Sequence, residues 1–308
     1  MSGFGLLCSG QGNQHKAMFD ILAESHQAQA VLQSVVPFFG CHPVEYLQSL
    51  SEEELFRNQP AQLLIATLQM ATWEALRSSL PAPRVYAGYS LGEVSAYGCA
   101  GSLAIDKMLP LIKRRAVLMD AAAPQPSGML AVRGLLQTDI ETLCAVCGVE
   151  VAIINGPDHF ILGGPAETIS QCEQHPLAKQ AIQCRRLQVS VPSHTSWMSS
   201  AGSLFQKDLE SAGFADPRGP VLAGTNGSLI RCCDEAIPAL SRQIFTPLNW
   251  LACMRTSAEM GCRVMLEMGP GDALKKIMQE QDSRIAVRSV DDFRSVRGVV
   301  DWINRQLG

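Results

Sequence analysis

The sequence predicts an α/β protein in two parts: a larger part around a parallel sheet, and a smaller inserted part of β-α-β-β-α-β order. Three observations carry this. Short apolar runs that end in glycine turns and continue into helical patterns recur at 5–8, 85–88 and 263–268. Between 129 and 189 short segments alternate in the compact order just given. The stretch APQPSG at 123–128 breaks the composition where the chain would pass between the parts.

The elements follow in order. GLLC at 5–8 runs into SGQGNQ, a buried strand entering a glycine turn. Residues 17–38 carry a mostly helical pattern. Over 60–80 the apolar Leu63, Leu64, Ala66, Leu68, Ala71 and Leu76 cover most of the helix circumference, as in a helix packed deep in a core, and PAPR ends it. VYAG at 85–88 predicts a strand, with helices over 91–99 and 106–123. Strands at 129–132, 149–154, 160–163 and 182–189 and helices at 138–147 and 166–175 give the ferredoxin-like order. SVPSHTSWM at 190–198 returns the chain to the larger part. A strand and turn follow at 220–229, then a strand at 263–268 that ends in GPGDALKK. The boundaries expected are 1–125 with 190–308 for the larger, catalytic part, and 126–189 for the smaller.

Composition removes some functions. The 308 residues suffice for a sizeable core, and 47% hydrophobic with 18% charged residues is ordinary for a globular protein. A formal charge of −4 argues against nucleic acid as the main partner. No apolar run reaches the ~18 residues that span a bilayer, and the first residues lack the pattern of a signal peptide, so a cytoplasmic protein is expected. Eleven cysteines without an export signal read as reduced thiols acting as small hydrophobes. Cys144 and Cys147 form a lone CxxC, with no second pair or spaced histidines to complete a zinc site.

GYSLGEVSAY at 88–97 carries the chemistry. Gly88-Tyr89-Ser90-Leu91-Gly92, between a strand and a helix, has the form of a nucleophile elbow, in which glycines allow a sharp turn that exposes the serine at a helix N-terminus. A serine needs a base near neutral pH. Of the six histidines, His194 in VPSH is the candidate, because it follows a strand where the chain re-enters the larger part; spacing alone does not choose it. Glu93, three residues past Ser90, reads as a favourable charge in the first turn of the helix.

SGQGNQ, GYSLGE, RAVLM, VPSH and EMGPG, in this order over about 6–277, resemble the malonyl-CoA:acyl-carrier-protein transacylases and the acyltransferase domains of polyketide synthases. The resemblance implies an α/β-hydrolase-like large subdomain with an inserted ferredoxin-like small subdomain. It implies Ser90 as the acylated nucleophile and His194 as its base, oriented by the backbone carbonyl of Gln243, whose side-chain identity should matter little for that contact. It implies an oxyanion hole from the N–H groups of Gln11 and Leu91. Arg115, in RAVLM, would read the free carboxylate of a malonyl group through a bidentate guanidinium contact. The chemistry calls for no metal or redox cofactor.

The chain departs from the family at Ser9 and Asn13 in SGQGNQ, and at Tyr89, where GHSxG is usual. GYSxGE resembles the malonate decarboxylase epsilon-subunit branch, which would add other decarboxylase subunits to malonyl-CoA and a carrier protein as partners. The alternatives are a general transacylase of fatty-acid or polyketide synthesis, a serine esterase, or a non-catalytic scaffold. An esterase would want an acid between serine and histidine, and Asp120, Asp139, Glu141, Asp158, Glu167 and Glu173 fall there. An acidic carrier would want a basic patch, for which Lys179, Arg185, Arg186, Lys275 and Lys276 are candidates.

Overall fold

The computed structural model describes residues 3–308, and its eleven strands are β1 Gly3–Cys8, β2 Val85–Gly88, β3 Ser127–Arg133, β4 Glu150–Gly156, β5 His159–Pro165, β6 Gln183–Arg186, β7 Val221–Leu222, β8 Leu229–Ile230, β9 Leu248–Asn249, β10 Cys262–Glu267 and β11 Ala286–Ser289. They form two sheets, a six-stranded one of order β11-β10-β1-β2-β7-β8 and a five-stranded one of order β6-β3-β5-β4-β9. This is the α/β-hydrolase-like large sheet with a ferredoxin-like small one.

β1 lies near the middle of the large sheet, parallel to β10 on one side and β2 on the other, and every one of its residues is buried. A strand covered on both faces reads as a continuous apolar run, which GFGLLC is. Its side chains alternate. Phe4, Leu6 and Cys8 join a core with helices Asn58–Leu76, Leu91–Cys99 and Ile105–Ala122, while Leu7 joins Trp250 and Cys253 of helix Trp250–Glu259 and Leu274 and Met278 of helix Ala273–Gln281. Helix Asn58–Leu76 is buried on most of its circumference, as its sequence predicts.

In the small sheet β3 is antiparallel to β5 and β6, and β5 to β4. Leu130 and Val132 face helices Gln137–Cys147 and Ala166–Gln174, while Met129, Ile153 and Ile161 form the opposite face and pack with Leu248 and Tyr89. That second face looks toward the GYSLG turn.

Three expectations change. The helical pattern over 17–38 is broken into Asp20–Leu22, His26–Ser34 and Val36–Phe39, because Ser25 caps a new helix through Ala28 N–H (3.3 Å) and Pro37 opens another turn. The strand over 182–189 is only Gln183–Arg186, with one further rung from Leu187 N–H to Met129 O. Part of the APQPSG break is already β3, which begins at Ser127. All eleven cysteines are free thiols, six of them buried.

A Cβ at Gly92 would overlap the Cys8 carbonyl, because helix Leu91–Cys99 starts directly over the tip of β1. Gly92→Ala is therefore expected to cost about 3 kcal/mol or more, read as a lowered denaturant midpoint with unchanged slope.

Candidate active site

The elbow is built by close approach. β2 ends at Gly88, and Tyr89 N–H donates to Cys8 O at 2.9 Å, which extends the β1–β2 pairing by one rung. Ser90 then takes φ 57° and ψ −112°, a conformation rare for a residue with a Cβ. Helix Leu91–Cys99 begins at once, and a Cβ at Gly88 would overlap the backbone of Gly92 and Glu93. The serine hydroxyl therefore stands at the positive end of the helix.

His194 is the second residue other than glycine at positive φ, 65°. Its backbone N–H donates to Ile244 O at 2.8 Å, and its Nδ1 lies 2.6 Å from Gln243 O. A carbonyl can only accept, so Nδ1 carries the proton and Nε2 the lone pair. Ser90 Oγ lies 2.8 Å from Nε2 and donates to it. Burial pushes the His194 pKa down to about 3, against the Gln243 hydrogen bond, with the Arg115 charge lowering it further. The imidazole is neutral and able to take a proton.

Arg115 lies on helix Ile105–Ala122 and is 1% exposed. Its Nη1 donates to Gln62 Oε1 (2.9 Å), and its Nη2 donates to Gln243 Oε1 (3.2 Å) and to Ser90 Oγ (3.3 Å). All three acceptors are neutral. Burial lowers its pKa to about 10, so it stays charged at neutral pH. A buried cation held only by neutral acceptors beside a nucleophile is a site prepared for an anion.

Gln11 and Leu91 flank the serine from two sides. Leu91 opens the helix after it, and Gln11 lines the same cavity from the loop after β1. Among the described residues, neither backbone N–H has a protein acceptor. The Gln11 loop is tied down from behind: Gln69 Nε2 donates to both Ser9 O and Gly269 O at 2.8 Å, and Ser9 Oγ donates to Gly269 O. This is what the serine in SGQG does. Asn13 packs at Gly271, and Tyr89 turns its hydroxyl to Asn155 Oδ1 at 3.2 Å.

The cavity has a volume of about 650 Å³. Ser90 and His194 line it with Met129, Ala131, Ile153 and Ile161 of the small sheet. Arg185 and Arg186 reach it too, Arg186 being paired with Glu173 at 3.0 Å. Lys275 and Lys276 are instead bound to Asp272, and Lys275 also to Asp292. Among the described residues, no group of three or more His, Cys, Asp or Glu is arranged to hold a metal ion.

One expectation needs correction. Glu93 does not serve as a solvated first-turn charge: it is fully buried, and its Oε2 accepts from Gln243 Nε2 (2.7 Å) and Gly224 N–H (3.0 Å). Burial raises its pKa to about 7. The Gln243 backbone carbonyl meets His194 as expected, and its side chain makes further bonds to Arg115, Glu93 and Ser90 O. Gln62 carries no distinguishing signal in the sequence: it is one of three glutamines in helix Asn58–Leu76, four residues past Asn58.

Comparison with known proteins agrees with this geometry. The acyl transferase domain family matches residues 6–236. The chain belongs to that family. The acyltransferase is 29% identical to the malonyl CoA-acyl carrier protein transacylase of Haemophilus influenzae, over 98% of this chain and all of that protein. It is 29% identical to the transacylase of the same description from Escherichia coli K12, over 89% and 91% of the two chains. The solved structure of the malonyl CoA-acyl carrier protein transacylase from Coxiella burnetii superposes with TM-score 0.92 at 25% identity, over 99% and 98%. A chain of the solved complex of a type II polyketide-synthase acyl-carrier protein with its malonyl-transacylase superposes with TM-score 0.91 at 26% identity, over 97% and 99%. No described helix of the acyltransferase is long and apolar enough to cross a membrane.

His194 is depressed far below the ordinary histidine value, so its ring should show no protonation as pH falls through 6.5. The unfolded chain does bind a proton there, so this group removes stability progressively as pH falls from 6.5 toward 3. NMR titration of the His194 ring, assigned by loss of its signal in His194→Gln, checks the first point; a midpoint near 6.5 would contradict it.

Proposed function

We propose that this acyltransferase moves a malonyl group from malonyl-CoA to the thiol of an acyl carrier protein, through an ester on Ser90. The observation that carries the reading is the place of Ser90 Oγ, within hydrogen-bond reach of a neutral imidazole and of a buried guanidinium that lacks a carboxylate partner. The first feature serves acyl transfer, and the second serves an acyl group with a free carboxylate.

His194 Nε2 takes the Ser90 proton as Oγ attacks the thioester carbonyl carbon. The Gln11 and Leu91 N–H groups receive the oxyanion that forms. Collapse breaks the C–S bond, and the CoA sulfur leaves with the proton from His194. The malonyl carboxylate takes the place of Ser90 Oγ and becomes the charged partner of Arg115. The carrier thiol then gives its proton to His194 and attacks the ester, and Ser90 recovers that proton as it leaves. Gln243 O holds the imidazole through both halves.

The named relatives are transacylases, and they favour a general malonyl-CoA:carrier transacylase over the malonate decarboxylase epsilon subunit, for which GYSLGE is the one signal. The esterase reading loses support because His194 Nδ1 is occupied by a backbone carbonyl and not by an acid. Arg185 and Arg186 at the cavity favour an acidic carrier at its mouth.

Mixing with malonyl-CoA should give one malonyl adduct by intact mass, absent in Ser90→Ala and with acetyl-CoA. Arg115→Ala should erase the preference for malonyl over acetyl. Equal adducts from both thioesters in the native protein would remove the carboxylate-reading role. Carrier affinity should fall steeply with added salt, and flat salt dependence would remove the basic mouth.

A further inference from the structure

Gln243 carries an amide whose two ends have opposite roles: Oε1 accepts and Nε2 donates two hydrogens. Its Nε2 donates one hydrogen to Ser90 O (2.8 Å) and the other to Glu93 Oε2 (2.7 Å). Both donors are thereby used, and Oε1 is left to face Arg115 Nη2 at 3.2 Å. Were the amide turned over, its NH2 would meet the guanidinium, two donors against each other. Ser90 O alone does not explain the buried carboxylate. Glu93 is fully buried, its Oε1 has no hydrogen-bond partner, and its Oε2 is reached by Gly224 N–H only because residue 224 lacks a Cβ, which would sit 2.6 Å from that oxygen. A buried carboxylate with a half-unpaired head is costly, and nothing in acyl transfer through Ser90 and His194 uses it directly.

We propose that Glu93 is a positioning residue for acyl selectivity: it fixes the orientation of the Gln243 amide, and through that amide the guanidinium of Arg115 that meets the acyl carboxylate. This deepens the malonyl-transfer reading and rests on it. The relay runs Glu93 Oε2, Gln243 amide, Arg115 Nη2, and Glu93 itself touches neither Ser90 Oγ nor His194. Because Glu93 reaches Arg115 only through Gln243, the guanidinium edge is left to substrate. A direct Glu–Arg pair would occupy that edge.

The test separates reading the carboxylate from general damage. The two readouts are KM for malonyl-CoA and the rate at which Ser90 is phosphonylated by a neutral phosphonofluoridate, which reacts with an activated serine and carries no carboxylate. Glu93→Leu keeps most of the volume and removes the acceptor. It should raise KM for malonyl-CoA by about tenfold or more, far more than it slows phosphonylation. Glu93→Gln, which offers a carbonyl to Gln243, should recover most of that loss. In the Arg115→Ala background Glu93→Leu should add little. If the leucine variant does not fold, Glu93→Asp decides: it keeps a carboxyl but withdraws it by one methylene, and should still raise malonyl-CoA KM preferentially. Equal loss in both readouts, no change in KM, or an undiminished effect without Arg115 would overturn the proposal. Failure of the native protein to form a malonyl ester would instead overturn the malonyl-transfer reading.

Discussion

The site depends on one residue, Gln243, which acts through both its backbone and its side chain. Its carbonyl takes the Nδ1 proton of His194 at 2.6 Å and so fixes the tautomer that leaves Nε2 free to accept from Ser90. Its amide holds the Ser90 carbonyl from one end and Arg115 from the other. His194, Ser90 and Arg115 therefore share a single anchor, at the end of helix Cys233–Gln243. A backbone carbonyl orients an imidazole without placing a second negative charge in the cavity. That leaves Arg115 without a competing carboxylate on the imidazole side.

Burial sets the charge states in this cluster. It makes the imidazole neutral, leaves Arg115 charged but without a carboxylate partner, and raises Glu93 well above an ordinary carboxyl group. The low dielectric that makes each of these groups costly also strengthens every contact a bound acyl group would make. The large sheet supports this by geometry. The last rung between β1 and β2, from Tyr89 N–H to Cys8 O, brings the Gln11 loop beside the strained serine, and no side chain fits at Gly88 or Gly92 to loosen the approach.

Much of this was legible in the sequence, for identifiable reasons. GYSLG and the runs GLLC and VYAG are local patterns whose spacing states the turn and strands outright. The ferredoxin-like order was readable because its strands and helices alternate in short, clean segments. What stayed hidden acts at a distance in the chain. Glu93 and Gln243 meet 150 residues apart, and Arg115 and Gln62 are separated by 53. A glutamate at the start of a helix reads as a solvated charge until tertiary burial is known. The strands β7, β8 and β9 are two residues long, too short to show a period. The break in 17–38 turned on a serine cap and a proline, each a single residue.

β9 comes from a part of the chain far beyond the other strands of its sheet, yet Leu248 and Asn249 pair in parallel with Ile153 and Ile154 of β4. One residue on, Trp250 meets Tyr89 edge-on with ring centroids 5.4 Å apart, and the Tyr89 hydroxyl returns to Asn155 on β4. The wall of the cavity opposite the serine is thus stitched to the floor by a strand, a ring and a hydrogen bond. The turn that carries Ser90 and the inner face of the small sheet are therefore one connected surface. A change of side chain at Asn155 or Trp250 would thus be felt at the elbow, although neither residue touches the serine hydroxyl.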